Sequence, residues 1–346
     1  TRYVAASGTL SFAAGETSKS FTILLVDNGL VDGTQTFDIL LSNPTGAGVT
    51  APARAIVTLT DNDTPPITTN PIDSTPFFVT EQYYDFLNRA PDAGGLAFWT
   101  GEINNVCAAN DATCINRRRI EVSAQFFIEL EFQRTGGFVY RQYRAAFGDT
   151  QPFPNPDPNG GAAGLRLPNY AVFLPDRARI DARAEFINGS LQALANDFVS
   201  RTAFTTRYPT SLTNEQFVDA LIANIQTASG ANLTSQRSVL LSELTAGGRG
   251  RVLYRLAQDD AQNNPVDNRS FITAEFNRAF VLMQYFGYLR RDPDIGGYNF
   301  WLGVLNGQGL NGQRFMVCNF ITSREYQERF SLVSNRNNAL CGTVFQ

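Results

Sequence analysis

The sequence predicts a multidomain chain in which a small all-β unit is joined by a stiff linker to a larger all-α unit. Three observations carry that reading. Over residues 1–63 short apolar and polar alternations are separated by Gly, Asn and Asp turns, the period-two pattern of strands. Residues 64–76 read Thr-Pro-Pro-Ile-Thr-Thr-Asn-Pro-Ile-Asp-Ser-Thr-Pro, a Pro/Thr composition that holds a linker extended. From Phe77 onward the apolar spacing changes to three and four residues, the helical period.

In the first part, strands are expected over Gly8–Phe12, Ser20–Val26, Thr36–Leu41 and Ala55–Thr60, and four strands at this spacing make part of a sandwich. Beyond the linker, helices are expected over Phe77–Leu87, Leu96–Ile103, Ile120–Phe132, Phe138–Phe147, Ala182–Phe204, Asn214–Ile225, Ser235–Leu244, Gly250–Ala257 and Ala274–Arg290. Thr213 with Gln216 has the spacing of a capping box. The Pro/Gly-rich stretch Thr150–Pro168 is too long for an ordinary connection and reads as an exposed loop.

Composition narrows the function classes. A net charge of −4 over 346 residues gives no footprint for a phosphate backbone, and Arg117, Arg118 and Arg119 are an isolated run, so no nucleic-acid partner is expected. The densest apolar stretch, Phe280–Tyr288, is interrupted by Gln284 and Gly287 and flanked by Arg278 and Arg290, so no membrane span is expected. Histidine is absent, which removes Ser-His-Asp and Cys-His catalysis and the commonest zinc ligand. Lysine occurs once, at Lys19, and the other basic residues are arginine. Asp259 with Asp260 and Glu129 with Glu131 point different ways on a helix, and Gly247-Gly-Arg-Gly250 lacks the lysine of a phosphate loop. The expectation is therefore a chain that is not an enzyme. A glycosidase-like hydrolase using two carboxylates is the remaining catalytic reading.

The four cysteines fall into two local pairs, Cys107 with Cys114 and Cys318 with Cys341, neither spaced as a zinc knuckle. They read as two disulfides in an oxidising, exported compartment; the alternative is four buried free thiols in a reducing one. No signal peptide stands at Thr1, so an exported chain is expected to have lost its leader.

Tyr3, then Ser7-Gly-Thr-Leu-Ser-Phe12, Ala14-Gly-Glu16, Lys19, Asp27, Asp32-Gly33, Thr36-Phe37, Leu41-Ser-Asn-Pro44 and the closing Asp61-Asn-Asp63 closely resemble the Calx-beta domain. The resemblance implies an immunoglobulin-like sandwich over 1–63. Only the second half of the family's pattern is matched, so the sandwich is expected to be truncated, with Thr1 inside the domain. The family often binds calcium, and Asp27, Asp32, Asp61 and Asp63 are the candidate ligands that match. Asp32-Gly-Thr-Gln-Thr-Phe37 carries Thr34 and Gln35 where the family has acids, which depletes a shell that needs six to eight oxygens. No cofactor is required by this reading, and calcium is the one candidate.

Within the helical part, residues 77–346, one motif occurs twice: Leu87-Asn-Arg-Ala-Pro-Asp-Ala-Gly-Gly-Leu-Ala-Phe-Trp99 and Leu289-Arg-Arg-Asp-Pro-Asp-Ile-Gly-Gly-Tyr-Asn-Phe-Trp301. Each follows an aromatic pair, Tyr83-Tyr84 or Tyr285-Phe286. The motif resembles DUF4214, a helical domain of unknown function common in bacterial exported and S-layer-like proteins, and its copies are expected to organise units over 77–147 and 213–346. Arg89 and Arg291 are expected to meet the carbonyls at a helix end, Asp92 and Asp294 to cap the next helix, Gly95 and Gly297 to allow close approach, and Trp99 and Trp301 to fill the wedge between helices. The functional alternative for these residues is a sugar or peptide groove lined by Trp301, Tyr298 and Tyr285.

Together these resemblances imply a secreted bacterial structural or adhesive protein at the cell surface or in its matrix. It is expected to self-associate as a homo-oligomer or a filament, by β-strand addition to the incomplete sandwich, with Ala339–Gln346 as the candidate donor strand. The second reading is a monomeric carbohydrate- or calcium-binding adhesion module, with surface polysaccharide as its partner.

Overall fold

The computed structural model describes residues 2–4, 6–65, 68–108, 111–150 and 167–342. Its β part is small. Strands β1 (Gln35–Leu40) and β2 (Arg54–Leu59) pair antiparallel, with Gln35 opposite Leu59 and Leu40 opposite Arg54. Strand alternation collects Phe37, Ile39, Val57 and Leu59 on one face, and Tyr3 stacks on Phe37 with ring centroids 4.3 Å apart. The strands expected over residues 8–12 and 20–26 do not form. Leu25 makes a single bridge to Tyr3, flanked by hydrogen bonds from Val4 N to Leu24 O and from Val26 N to Arg2 O, both 2.8 Å. Leu10, Phe12 and Phe21 stay exposed. Alternation supplies one apolar face but neither a ladder partner nor a cover, and a strand needs both.

Val4 and Val26 are buried, and Gly29 N donates to Phe330 O at 2.6 Å, so the stretch around residues 26–29 lies on the helical part. The close approach of the Pro71 ring to Gly29 leaves little room for a side chain there.

After a short turn at Pro71–Asp73 come α1 (Thr75–Gln82), a π turn (Tyr83–Leu87), α2 (Ala93–Asn104), α3 (Ala112–Ile128) and α4 (Leu130–Arg134). The middle of the chain gives α5 (Gly136–Phe147), α6 (Tyr170–Ala178), α7 (Ile187–Ser200), α8 (Thr202–Arg207), α9 (Asn214–Ser229) and α10 (Arg237–Ala257). The last part gives α11 (Arg269–Gln284), a second π turn (Tyr285–Leu289), α12 (Ile295–Gln308), α13 (Leu310–Ile321) and α14 (Arg324–Gln327). Among the described residues no helix is long and apolar enough to cross a membrane.

Local chemistry explains where the helices start and break. The Thr213 hydroxyl accepts from Gln216 N while the Gln216 side chain accepts from Thr213 N, the reciprocal cap expected for α9. The helix expected over 120–132 is broken at Glu129, whose ψ of 140° is extended, into α3 and α4. The one expected over 182–204 begins only at Ile187 and breaks at the extended Arg201. The windows 235–244 and 250–257 are two helical segments, numbered together as α10, because Gly247 and Gly248 between them are not helical, the latter at φ +73°. Helix α6 was not expected, because Pro175 inside it interrupts the pattern. Most of the expected loop 150–168 lies outside the described residues.

Helix α5 is the centre of the helical part: every one of its residues is buried, including three that are polar or charged. Arg144 forks onto Glu275 with two 2.9 Å bonds, and the Tyr140 hydroxyl donates to the same carboxylate at 2.6 Å. Arg141 donates to Ala257 O and Gln133 O. Buried charges are tolerated when paired and bonded in this way.

A second buried group joins the two ends of the helical part. Asp85 accepts from Arg290 at 2.9 Å and from two nitrogens of Arg329, each at 2.9 Å, and Glu81 lies 3.3 Å from Arg329. Burial, with Asp85 beside it, pushes the Glu81 carboxyl up to about 8 from an ordinary 4.5. Between those two values the folded chain holds a proton that the unfolded chain has released, so stability falls as pH rises through the window and levels off above it. Glu81→Gln has no proton to lose. The variant is expected to gain stability relative to the parent as pH rises from 5 to about 8. Urea unfolding of both chains at the two pH values checks this, and parallel pH profiles would refute it.

Candidate functional site

The two copies of the repeated motif build the same structure from the same local rules. In each, a π turn ends on a residue in the left-handed region, Asn88 at φ 55° and Arg290 at φ 52°. The chain then reverses and an aspartate caps the next helix: Asp92 accepts from Gly95 N at 2.8 Å and Asp294 from Gly297 N at 2.7 Å. That bond holds the Asp92 carboxyl below its ordinary range. A tyrosine hydroxyl fills the space over the capped glycine, Tyr83 over Gly95 and Tyr285 over Gly297, where a Cβ would collide with it. Burial pushes the Tyr285 hydroxyl up to about 12.

Arg89 and Arg291 lie over these tyrosine rings, 4.9 and 5.4 Å from the centroids. They do not reach back to the carbonyls of the helix they follow. Arg89 forks onto Glu131 with two 2.6 Å bonds, and Arg291 forks onto Glu325 at 2.5 and 3.0 Å. These forks hold both guanidiniums above their ordinary pKa. A planar fork aimed at a carboxylate is a stronger partner than a single helix-end carbonyl, which explains the difference from the expectation. Trp99 packs against Phe126 and Trp301 against Phe315 and Phe320, each half-buried in the wedge between two helices.

Glu131 and Glu325 were not singled out in the sequence. The signal was obscured because Trp99 to Phe126 spans 27 residues and Trp301 to Phe320 only 19. The first copy's extra length falls in the connection after α2, where Cys107 and Cys114 are bonded with an S–S distance of 2.00 Å. Cys318 and Cys341 form the second disulfide. No free cysteine remains among the described residues.

The copies also face each other. By the register of the repeat Phe86 corresponds to Tyr288, and these two rings meet edge to face at 5.1 Å. The Tyr288 hydroxyl bonds Ser123, which donates to Gln82 Oε1 at 2.6 Å. Helix α3 packs on its counterpart α13, while α2 packs on α3 and α12 on α13. The two copies thus meet through equivalent elements, α3 on α13 and one π turn on the other.

The aromatic groove considered for Trp301, Tyr298 and Tyr285 does not open, since Tyr285 and Tyr298 are each only 4% exposed. Among the described residues the four carboxylates of the β part are not gathered at one point. Arg2 pairs with Asp32 and lies 3.6 Å from Asp61, and Asp61 also accepts from Gly33 N at 2.7 Å and Asp63 N at 3.0 Å. Desolvation, Asp61 and Asp27 raise the Asp63 carboxyl. Among the described residues no three acidic, cysteine or histidine side chains are gathered as a metal site requires. The Arg2 guanidinium supplies the positive charge that Asp32 and Asp61 face.

With the geometry in place, comparison with known proteins separates the parts. Residues 1–63 match the family described as Calx-beta domain, and residues 262–330 match the one described as Domain of unknown function (DUF4214). No curated protein and no solved structure matches the chain. The first copy of the repeat lies outside the matched span, yet it reproduces the DUF4214 unit residue by residue at the cap, the tyrosine, the arginine fork and the tryptophan.

Two predictions follow from this geometry. Gly297→Ala would normally favour a helix, but its methyl meets the Tyr285 hydroxyl, so it is expected to destabilise by about 1–3 kcal/mol. Adding Tyr285→Phe should restore part of that loss, the approach of the Asp294 carboxylate remaining, and a thermal-unfolding double-mutant cycle with no coupling would refute the assignment. Cys318 and Cys341 are 1% and 2% exposed, whereas Cys107 and Cys114 are partly open. Mild reduction with alkylation, read by peptide mapping, should label Cys107 and Cys114 first.

Proposed function

We propose that the chain is an exported, non-catalytic structural or adhesive protein of the cell surface, and that it works by associating with further copies of itself. The Calx-beta and DUF4214 matches support a surface or adhesion-type role, and the two disulfides support an oxidising compartment. One observation carries the self-association: the sheet of the β part is left open. Among the described residues it has two strands, so β1 and β2 each keep an unpaired edge. Leu40 and Ile56 are 68% and 62% exposed, and Phe12, Phe21 and Leu25, which lie before β1 in the chain, are about half exposed. Monomers avoid open edges and large apolar faces. In this reading a β-segment of another copy adds to the sheet and completes a Calx-beta-type sandwich, and repeated addition propagates the assembly. Part of the candidate donor tail, Thr343–Gln346, lies outside the described residues. No cofactor enters the mechanism.

Leu40→Lys with Ile56→Lys places two charges on the exposed sheet face without touching the helical core. The parent chain is expected to gain mass with concentration in sedimentation, and the double variant to show lower average mass at every concentration with its helical circular dichroism unchanged. A parent that stays monomeric throughout, or a variant that assembles as the parent does, would defeat the reading.

A further inference from the structure

We infer that Asn232 is an acceptor site for an N-linked sugar, with Leu233 and Thr234 completing the recognised tripeptide. Asn-x-Ser/Thr with x other than proline occurs at four places: Asn62-Asp-Thr64, Asn188-Gly-Ser190, Asn232-Leu-Thr234 and Asn268-Arg-Ser270. Asn43-Pro-Thr45 is excluded by its proline. So short a motif also arises by chance, and the structure has to discriminate among the four. An acceptor needs an exposed carboxamide, an uncommitted hydroxyl two residues on, and a backbone that a transferase can hold outside a helix.

Three of the four fail that test. Asn268 is 4% exposed, and its Nδ2 donates to Arg255 O, Leu256 O and Gln258 O, so a sugar on that nitrogen would strip buried carbonyls of their donor. Asn188 is exposed, but it lies in the first turn of α7 and the Ser190 hydroxyl is spent on Ile187 O at 2.9 Å. Asn62 is exposed in non-helical chain, yet its neighbour Asp61 accepts from Gly33 N and Asp63 N and faces Arg2. Drawing Asn62 into an enzyme would pull those contacts apart.

Asn232 meets every requirement. It stands in the short connection between α9 and α10, just after the left-handed Gly230 at φ 77°. Ala231 and Leu233 on either side are 5% and 1% exposed, whereas Asn232 and Thr234 are open to solvent. Alternate residues thus anchor the backbone and leave the two recognised side chains outside. Asn232 Oδ1 accepts from Thr234 N at 2.9 Å, an Asx turn that keeps the carboxamide and the threonine together. Among the described residues no contact engages Asn232 Nδ2 or the Thr234 hydroxyl, so substitution at that nitrogen removes no bond from the fold.

The transfer needs no redox partner. Nδ2 attacks the anomeric carbon of a glycosyl phosphate donor, and the new C–N bond forms as the bond from that carbon to the phosphate oxygen breaks. One amide proton passes to a base of the transferase, and the phosphate leaves with the electron pair. A sugar nucleotide and a lipid-linked oligosaccharide share this chemistry. The first attaches a single sugar residue and the second a preassembled block, so the mass added to the chain tells them apart.

This inference rests on the exported part of the reading above, because the chain has to meet a transferase on its way to the surface. The test recovers the full chain from outside the cells that make it and digests it with trypsin. Peptide Tyr208–Arg237 contains Asn232-Leu-Thr234 as its only such tripeptide. In mass spectra it is expected to be heavier by a glycan, and enzymatic release of the sugar in heavy-oxygen water should leave a labelled aspartate at position 232. Thr234→Ala is expected to abolish the modification and Thr234→Ser to retain it, with matching thermal unfolding showing that both variants fold. An extracellular chain whose Tyr208–Arg237 peptide is wholly unmodified, or a sugar that survives Thr234→Ala, refutes the acceptor site and leaves export standing. A chain found only inside the cells overturns export and this inference with it.

Discussion

The Asp85 carboxylate, buried between Arg290 and Arg329, is the constraint on which the rest of the helical part depends. It sits on the first π turn, Arg290 follows the second, and Arg329 follows α14, so one anion ties together segments more than two hundred residues apart. An unpaired carboxylate there would cost several kcal/mol, of the order measured when a buried pair loses one partner. Arg329 also donates to Gly287 O and Tyr288 O, and so satisfies carbonyls at the end of the second π turn as well as the charge on Asp85. The residue after it, Phe330, offers its carbonyl to Gly29. The placement of the β part therefore follows from the same cluster that joins the two copies of the repeat.

The features that could be read from the sequence are those whose chemistry is local. Asp92 and Gly95, or Asp294 and Gly297, lie three residues apart, so a cap is legible from spacing alone, as is the Thr213 and Gln216 box. The Arg89 and Glu131 fork was not legible, because its partner lies 42 residues away and the matching separation in the second copy is 34. The acidity of Asp32 and Asp61 was visible, but not that Arg2, about thirty residues from the nearer one, would be the cation they face. Strand pattern was visible at four places and ladder at two, since alternation is local and pairing is not.

Arginine usage connects these cases. With lysine confined to Lys19, each deeply buried or bridging carboxylate meets a guanidinium: Asp85, Glu131, Asp176, Glu275 and Glu325 all do. An ammonium could neutralise one of these acids, but it could not present a flat two-point fork and still donate to neighbouring carbonyls, as Arg144 does to Gly148 O and Arg329 to Gly287 O. The buried sites therefore select for geometry as much as for charge.

The two parts of the chain consequently stand at different degrees of closure. Among the described residues of the helical part the wedges of the two repeat copies are filled by the chain's own side chains, with Trp99 and Trp301 on phenylalanines and Phe86 on Tyr288 between the copies. In the β part, by contrast, the two strands among the described residues leave both sheet edges unpaired, and Leu40 and Ile56 stay exposed. A sheet with an unpaired edge on each side can take a further strand at either one. That is the geometric condition for association that continues beyond a pair, and it arises here from a sheet of two strands among the described residues.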